Sequence, residues 1–215
     1  MIINILASGP DEYLPDLTEY NEEGCIWVGV DRGVLTLMKR GFNPEKAFGD
    51  FDSVTEKEKQ TIKKTIKHLE QFKPEKDETD MELALNWALQ QNPKLIRLFG
   101  ATGGRLDHLF ANVYLLLKPL QENTSSEVQI IDQKNIMFIR RAGSYSLENI
   151  PKFKYISFVP ITHDVKGLTL TGFKYPLKDR HILLGSTLCI SNELIIDYGT
   201  FSFTEGILMV IRSRD

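Results

Sequence analysis

Cysteine is scarce in this chain: there are two, Cys25 and Cys189, in 215 residues. They lie far apart in the apolar runs "CIWVGV" and "STLCISN", with neither a CxxC pair nor a metal-ligand spacing. That excludes a disulfide scaffold and a thiolate zinc site. Both read as reduced core residues, and the protein as cytoplasmic. Long apolar runs are missing too. The opening "MIINILASGP" has no basic leader and too short an apolar run for a signal peptide, and no stretch approaches a membrane span of about 20 residues. Charge of one sign is also missing, since 26 Lys+Arg stand against 29 Asp+Glu for a net charge of -3. No whole-chain field favours nucleic acid or an anionic membrane, so neither is expected as a partner, and an anionic ligand needs a local site.

What is present is a globular composition, 42% hydrophobic, sufficient for one large domain or two small ones. From residue 2 to about 125 short β-rich runs ("IINILAS", "CIWVGVD", "KAFGDFD", "LIRLFGA") alternate with helical stretches. That alternation predicts an α/β fold with a doubly wound, mostly parallel sheet. Ser53 followed by Glu56 reads as a capping box opening the helix "VTEKEKQTIKKTIKHLE", and Thr79 with Glu82 repeats it before "MELALNWALQQ". In "LDHLFANVYLLLK" the positions Leu106, Leu109, Phe110, Val113, Leu116 and Leu117 form an apolar stripe expected to pack on the sheet. After the polar "PLQENTSSE" only β-rich runs follow, from "VQIIDQ" to "ILMVIRS", punctuated by glycine. The expected organisation is an α/β domain over 1–125 and an all-β, sandwich-like domain over 126–215.

The acidic residues cluster where strands end. Asp31 closes "CIWVGVD", Asp50 and Asp52 close "KAFGDFD", Asp77 and Asp80 flank a helix start, and Asp107 follows "LIRLFGATGGR". In an open α/β sheet, ligands bind outside the carboxyl ends of the strands. An extended "GDFDS" would send Asp50 and Asp52 to one side and Phe51 to the core. Two carboxylates so placed either raise the pKa of one of them or need a cation. A third from Asp80 or Asp31 makes the cation the simpler answer, and an all-oxygen set favours Mg²⁺. Each aspartate alone also has a plain structural reading, as an N-cap or turn residue.

The stretch "GATGGRLDH" runs from a strand into a helix. Gly103 and Gly104 let backbone N–H groups approach an anion, and Arg105 can grip phosphate oxygens bidentately. The GxxxxGK[ST] spacing is absent, so this is not a Walker A loop. His108 and, one turn on, Asn112 can touch the ligand or simply pack. A phosphate loop beside a carboxylate-held Mg²⁺ equips a protein for phosphoryl or pyrophosphoryl transfer from a nucleotide.

The ordered set "VDRG" (30–33), "GDFDS" (49–53), "KDETDMELAL" (76–85) and "GATGGRLDHLFAN" (100–112), followed by a β-rich half, closely resembles the thiamine pyrophosphokinase family. The resemblance implies transfer of the pyrophosphoryl group of ATP to the hydroxyethyl group of thiamine, giving thiamine diphosphate and AMP. It implies Asp50, Asp52 and Asp80 as Mg²⁺ ligands, with Arg105 and Asp107 joining them in the catalytic group. Asp31, Asp77, Thr79, Gly103, Gly104, Arg105, His108 and Asn112 are implied around ATP. In the second half "GSTLCISNEL" resembles the thiamine-contacting segment, with Ser191 and Asn192 as its candidates. Animal members carry a tryptophan near thiamine, whereas Trp27 and Trp87 both fall in the first half here. The family also implies a homodimer with the active site between subunits.

Two other readings use part of the same residues. Asp-Phe-Asp matches the DxD element of metal-dependent nucleotide-sugar transferases, which leaves "KDETD" and "GGRLDH" unused. A non-catalytic thiamine-binding module would not need the acidic residues, all of which are present.

Overall fold

The computed structural model describes residues 1–51, 54–66, 68–71 and 77–215. They form two compact units, Met1–Gln133 and Lys134–Asp215. Among the described residues no helix is long and apolar enough to cross a membrane.

The first unit is built on six strands: β1 (Ile2–Leu6), β2 (Cys25–Val30), β3 (Lys46–Gly49), β4 (His68–Gln71), β5 (Leu95–Phe99) and β6 (Glu127–Ile131). They are ordered β6-β5-β1-β2-β3-β4, and every neighbouring pair is parallel. The helices are α1 (Gly33–Lys39), α2 (Glu56–Thr65), α3 (Asp80–Gln90), α4 (Leu106–Leu115) and the short α5 (Lys118–Gln121). Both faces of the sheet are covered. Ala47 of β3 packs with Val34 and Leu35 of α1 and Ile62 of α2, whereas Phe48, the next residue and hence on the opposite face, packs on Trp87 of α3 at 6.0 Å between ring centroids. Apolar residues on both faces of a strand are what a parallel sheet covered on both sides requires. The run Glu127–Ile131, which the sequence pattern groups with the β-rich half, is β6 and extends this parallel sheet beside β5.

Several local expectations are corrected here. The capping box of α2 is formed by Thr55 and Glu58: the Glu58 N–H donates to Thr55 Oγ1 at 3.3 Å and the Thr55 N–H donates to Glu58 Oε2 at 2.9 Å. Ser53 lies outside the described residues. Helix α2 stops at Thr65, and the following "HLEQ" is β4. At α3, Thr79 Oγ1 accepts the Glu82 N–H at 3.2 Å, but the Glu82 carboxylate pairs with Lys118 at 2.7 Å. On α4 the apolar stripe does not all pack inward: its Leu106 and Phe110 are 67% and 59% exposed, Tyr114 outside the stripe is 65% exposed, and the buried positions of the helix are Asn112 and Leu115.

The second unit is all strand: β7 (Asn135–Glu148), β8 (Tyr155–Pro160), β9 (Asp164–Thr171), β10 (Leu177–Leu183), β11 (Asn192–Glu193) and β12 (Tyr198–Ser213). The long β12 pairs with β7 along most of its length. Its first half also pairs with β9, through Thr200–Ser202, and its second half with β8, through Leu208–Ser213. The change of partner falls at a bulge between Phe203 and Ile207, where Gly206 takes φ +96°. A bulge of this kind bends the strand and lets its two halves take different neighbours. The core inside includes Phe158, Phe201 and Phe173, all nearly inaccessible.

Close backbone packing holds the carboxyl edge of the first sheet. A Cβ at Gly33 would collide with the Leu6 carbonyl oxygen, and one at Gly9 would lie 2.5 Å from the Gly100 carbonyl oxygen. Neither neighbour is a side chain that can swing aside. Gly33→Ala should therefore destabilise the protein by about 2–3 kcal/mol as an overpacking change, measured by urea denaturation. Gly24→Ala, with open space around its Cβ, should cost only about 1–2 kcal/mol for its left-handed backbone.

Candidate active site

Chain order places β2, β3 and β4 on one side of β1, and β5 and β6 on the other. The point of reversal, between β1 and β5, is where an open α/β sheet leaves a crevice at its carboxyl edge. A cleft of about 510 Å³ opens there. One wall is the loop after β1, Ala7–Pro10, and the other is the glycine turn after β5. The two loops are tied together: the Ala7 N–H donates to the Phe99 carbonyl and the Gly9 N–H to the Gly100 carbonyl, each at 2.9 Å.

The glycine turn is left-handed. Gly103 and Gly104 sit at φ +80° and +67°, a region that glycine enters without steric cost. The Tyr13 ring lies where a Gly103 side chain would be. Asn112 anchors the turn from α4, its Nδ2 donating to the Ala101 carbonyl at 2.9 Å.

Asp31 reaches the cleft from the end of β2. Its backbone is left-handed, φ +49°, and its N–H donates to the Phe48 carbonyl at 2.8 Å. Aspartate is among the few non-glycine residues that tolerate this conformation. Gly49 lies so close to the Asp31 carboxylate that any side chain there would collide with Oδ1. Thr79 and Asp80 enter from the start of α3, where Thr79 is the N-cap.

Of the residues singled out in the sequence, the cleft gathers Asp31, Thr79, Asp80, Gly103, Gly104, Arg105, His108 and Asn112. Asp50, Asp77 and Asp107 are not among its lining residues, and Asp52 lies outside the described residues. The extended geometry expected for "GDFDS" does not hold. Strand β3 ends at Gly49, and Phe51 takes φ +56°, so period-two alternation stops before the aspartates. Phe51 is nonetheless buried, in contact with the α1 and α2 core. Among the described residues no group of three or more His, Cys, Asp or Glu side chains is placed to hold a metal ion. The lining also includes Ser8, Gly9, Pro10 and Glu78, which the sequence reading did not select. The signal for the first three was "ASGP", a small-residue loop directly after a central strand.

Arg105 and Asp107 form a bidentate ion pair at the mouth of α4. Nε donates to Oδ1 at 3.1 Å and Nη2 to Oδ2 at 2.5 Å, and the His108 N–H donates to Oδ1 at 3.0 Å. The Arg105 hydrogen bonds, with the His108 amide, hold the Asp107 carboxyl down to about 2, from the ordinary 3.8. A carboxylate so acidic is a poor general base near neutral pH. Its geometry is that of a positioning residue, fixing the guanidinium beside the glycine turn.

In the second unit Ser191 is exposed and left-handed, φ +58°, its N–H donating to Ser157 Oγ at 2.9 Å. Asn192 is 3% exposed. Its Oδ1 accepts the Tyr175 and Glu193 N–H groups, at 3.0 and 2.9 Å, and its Nδ2 donates to the Tyr175 carbonyl at 2.9 Å. These bonds occupy the amide in holding the turn.

Profile and structure comparisons agree with this architecture. The thiamin pyrophosphokinase catalytic-domain profile matches residues 17–130, and the thiamin pyrophosphokinase vitamin B1 binding-domain profile matches residues 144–208. Thiamine pyrophosphokinase of Bacillus subtilis (strain 168) is 51% identical over 213 residues, 99% of each chain. The chain belongs to the thiamine pyrophosphokinase family. The crystal structure of the Bacillus subtilis thiamine pyrophosphokinase superposes with a TM-score of 0.93 over the whole of both chains at 50% identity. That of the Geobacillus thermodenitrificans family member gives 0.91 at 52% identity, covering 100% of this chain and 98% of the other.

Two expectations follow. The Asp107 carboxyl should titrate near pH 2 by NMR and move up toward its ordinary value in Arg105→Gln. The depressed pKa has the acid-loss sign: the pair's contribution is complete above pH 3.8 and disappears as pH falls through about 2. Asn192→Ala, which removes three hydrogen bonds from a buried turn, should cost about 3 kcal/mol in urea denaturation.

Proposed function

We propose that this protein transfers the pyrophosphoryl group of ATP to the hydroxyethyl oxygen of thiamine, releasing AMP. The observation that carries the reading is the cleft at the β1/β5 reversal, where the left-handed Gly103–Gly104 turn, Arg105, Asp31 and Asp80 converge, in a chain that matches both family profiles. The first unit takes the nucleotide and the second takes thiamine. The sequence motifs suggest nucleotide over 1–125 and thiamine over 126–215; with β6 in the first sheet, the boundary between the two units falls at Gln133 and Lys134.

In the transfer a bond forms between the thiamine hydroxyl oxygen and the β-phosphorus. The bond from that phosphorus to the α,β-bridging oxygen breaks, and its electron pair leaves on AMP. The hydroxyl proton passes to a carboxylate of the cleft. Asp107, whose carboxyl is held down to about 2, is not that acceptor, and its part is to hold Arg105. The amides of Gly103 and Gly104 and the Arg105 guanidinium bind the phosphate oxygens, with His108 and Asn112 completing the nucleotide wall. Preorganised donors of this kind act where charge develops.

The cleft carboxylates Asp31 and Asp80 offer oxygen donors of the type that suits a hard divalent cation. The family resemblance would give Mg²⁺ to Asp50, Asp52 and Asp80, of which Asp80 lines the cleft, Asp50 does not and Asp52 lies outside the described residues; of the two aspartates it sets near the nucleotide, Asp31 lines the cleft and Asp77 does not. Bound there, the ion supplies neutralisation of phosphate charge. In the second unit Ser191 presents its hydroxyl to thiamine, and Asn192 shapes the turn that carries it. The exposed Leu106, Phe110 and Tyr114 of α4 support a homodimer, because an apolar stripe of this kind gains by being covered by a second copy. The free state of Cys25 and Cys189 supports a cytoplasmic location.

Incubation with ATP, Mg²⁺ and thiamine should yield AMP and thiamine diphosphate in equal amounts. ADP as product, or no turnover, would contradict the reading. Asp52→Asn should lower kcat by at least about a hundredfold with the fold retained, as loss of a charge-stabilising group does; wild-type turnover would remove Asp52 from the metal site.

A further inference from the structure

Beside the main cleft lies a second one, of about 350 Å³, at the small end of the ~300–1,000 Å³ range of ligand sites. Helix α1 forms one side of it through Arg32, Thr36, Lys39 and Arg40. Their spacing, i, i+4, i+7 and i+8 from the N-cap, puts all four on one helix face, while Val34, Leu35 and Leu37 turn inward. The facing side is the loop after β1, contributing Ser8, Gly9 and Asp11.

Ser8 and Gly9 line both clefts, so a two-residue wall separates them. Ser8 Oγ fixes that wall, accepting the Arg32 N–H at 3.1 Å and donating to the Val30 carbonyl at 3.4 Å. The charge inside is lopsided. Among the described residues three cations face one lining carboxylate, Asp11, which is 72% exposed and 3.8 Å from Arg40 Nη2, a pair of little energetic weight. Glu58 also feels Arg32 and Lys39, but its carboxylate is held first by the Thr55 N–H and hydroxyl. In a chain of net charge -3, a cationic cleft that shares Ser8 and Gly9 with the main cleft is a local device for anions.

We propose that this cleft is a phosphate subsite. Lys39 and Arg40 supply the charge, and the Thr36 hydroxyl supplies a hydrogen bond. Its occupant is a phosphate group, either the terminal phosphate of a nucleotide whose remainder lies in the main cleft or free inorganic phosphate. Only the nucleotide alternative rests on the reading of the main cleft given above.

The test is calorimetric titration of the full-length protein and of the double variant Lys39→Gln/Arg40→Gln with ATP, AMP and inorganic phosphate at one ionic strength. Loss of charge-assisted contacts should weaken the bound phosphate by about tenfold or more. If the nucleotide fills the subsite, the ATP Kd rises by that factor and the AMP Kd moves less than twofold. If free phosphate fills it, saturable phosphate binding to the wild type is lost in the variant while ATP binding is unchanged. Equal weakening of ATP and AMP, or no change in any of the three, overturns the proposal. Should the double variant fail to fold, Lys39→Gln alone is read in the same way. A wild type that made no thiamine diphosphate yet bound phosphate through Lys39 and Arg40 would sink the transferase reading and leave the subsite standing.

Discussion

The site depends on main chain meeting main chain where the strand order reverses. At the carboxyl edge of the first sheet, the loop after β1 and the loop after β5 touch through Gly9 and Gly100, and the start of α1 rests on the end of β1 through Gly33. No side chain occupies these contacts, so the loops cannot relax apart by changing rotamer. The consequence is a rigid rim on which backbone amides, rather than long side chains, can face an anionic ligand. Gly49 extends the same constraint to β3, because its missing side chain is what lets the Asp31 carboxylate lie against it.

Electrostatics are layered on that rim. Carboxylates arrive from the ends of β2 and the start of α3, and the guanidinium of Arg105 arrives beside the glycine turn. Arg105 and Asp107 neutralise each other at short range. Both are well exposed, so the pair contributes little to stability. Its effect is to limit the orientations of the Arg105 guanidinium.

Much of this was legible in the sequence. The alternation of short apolar runs with helical stretches predicts the parallel sheet, and the sheet rule alone places Asp31, Asp80 and the "GATGG" turn on one edge. What the sequence concealed has specific causes. Alternation along "GDFDS" presupposes an extended backbone, and the left-handed Phe51 breaks it. The α4 stripe has helical periodicity, but periodicity cannot say whether sheet or solvent faces Leu106 and Phe110. Ser53–Glu56 and Thr55–Glu58 both satisfy the capping-box spacing, and the structure uses the second. Asn192 was singled out because "GSTLCISNEL" resembles the family's thiamine-contacting segment, and a segment match does not show that its amide also bonds Tyr175 and Glu193. "ASGP" carries no charged or nucleophilic group, so a search for chemistry passed over residues that contribute main chain.

The central claim, that the nucleotide lies in the β1/β5 crevice on backbone amides, is tested most directly by amide chemical-shift mapping during titration with AMP. The account predicts saturable shifts of the Ser8, Gly9, Gly103 and Gly104 amides with a common Kd, and small responses in the second unit. Saturable shifts confined to residues of the second unit, with these four amides unmoved, would contradict it.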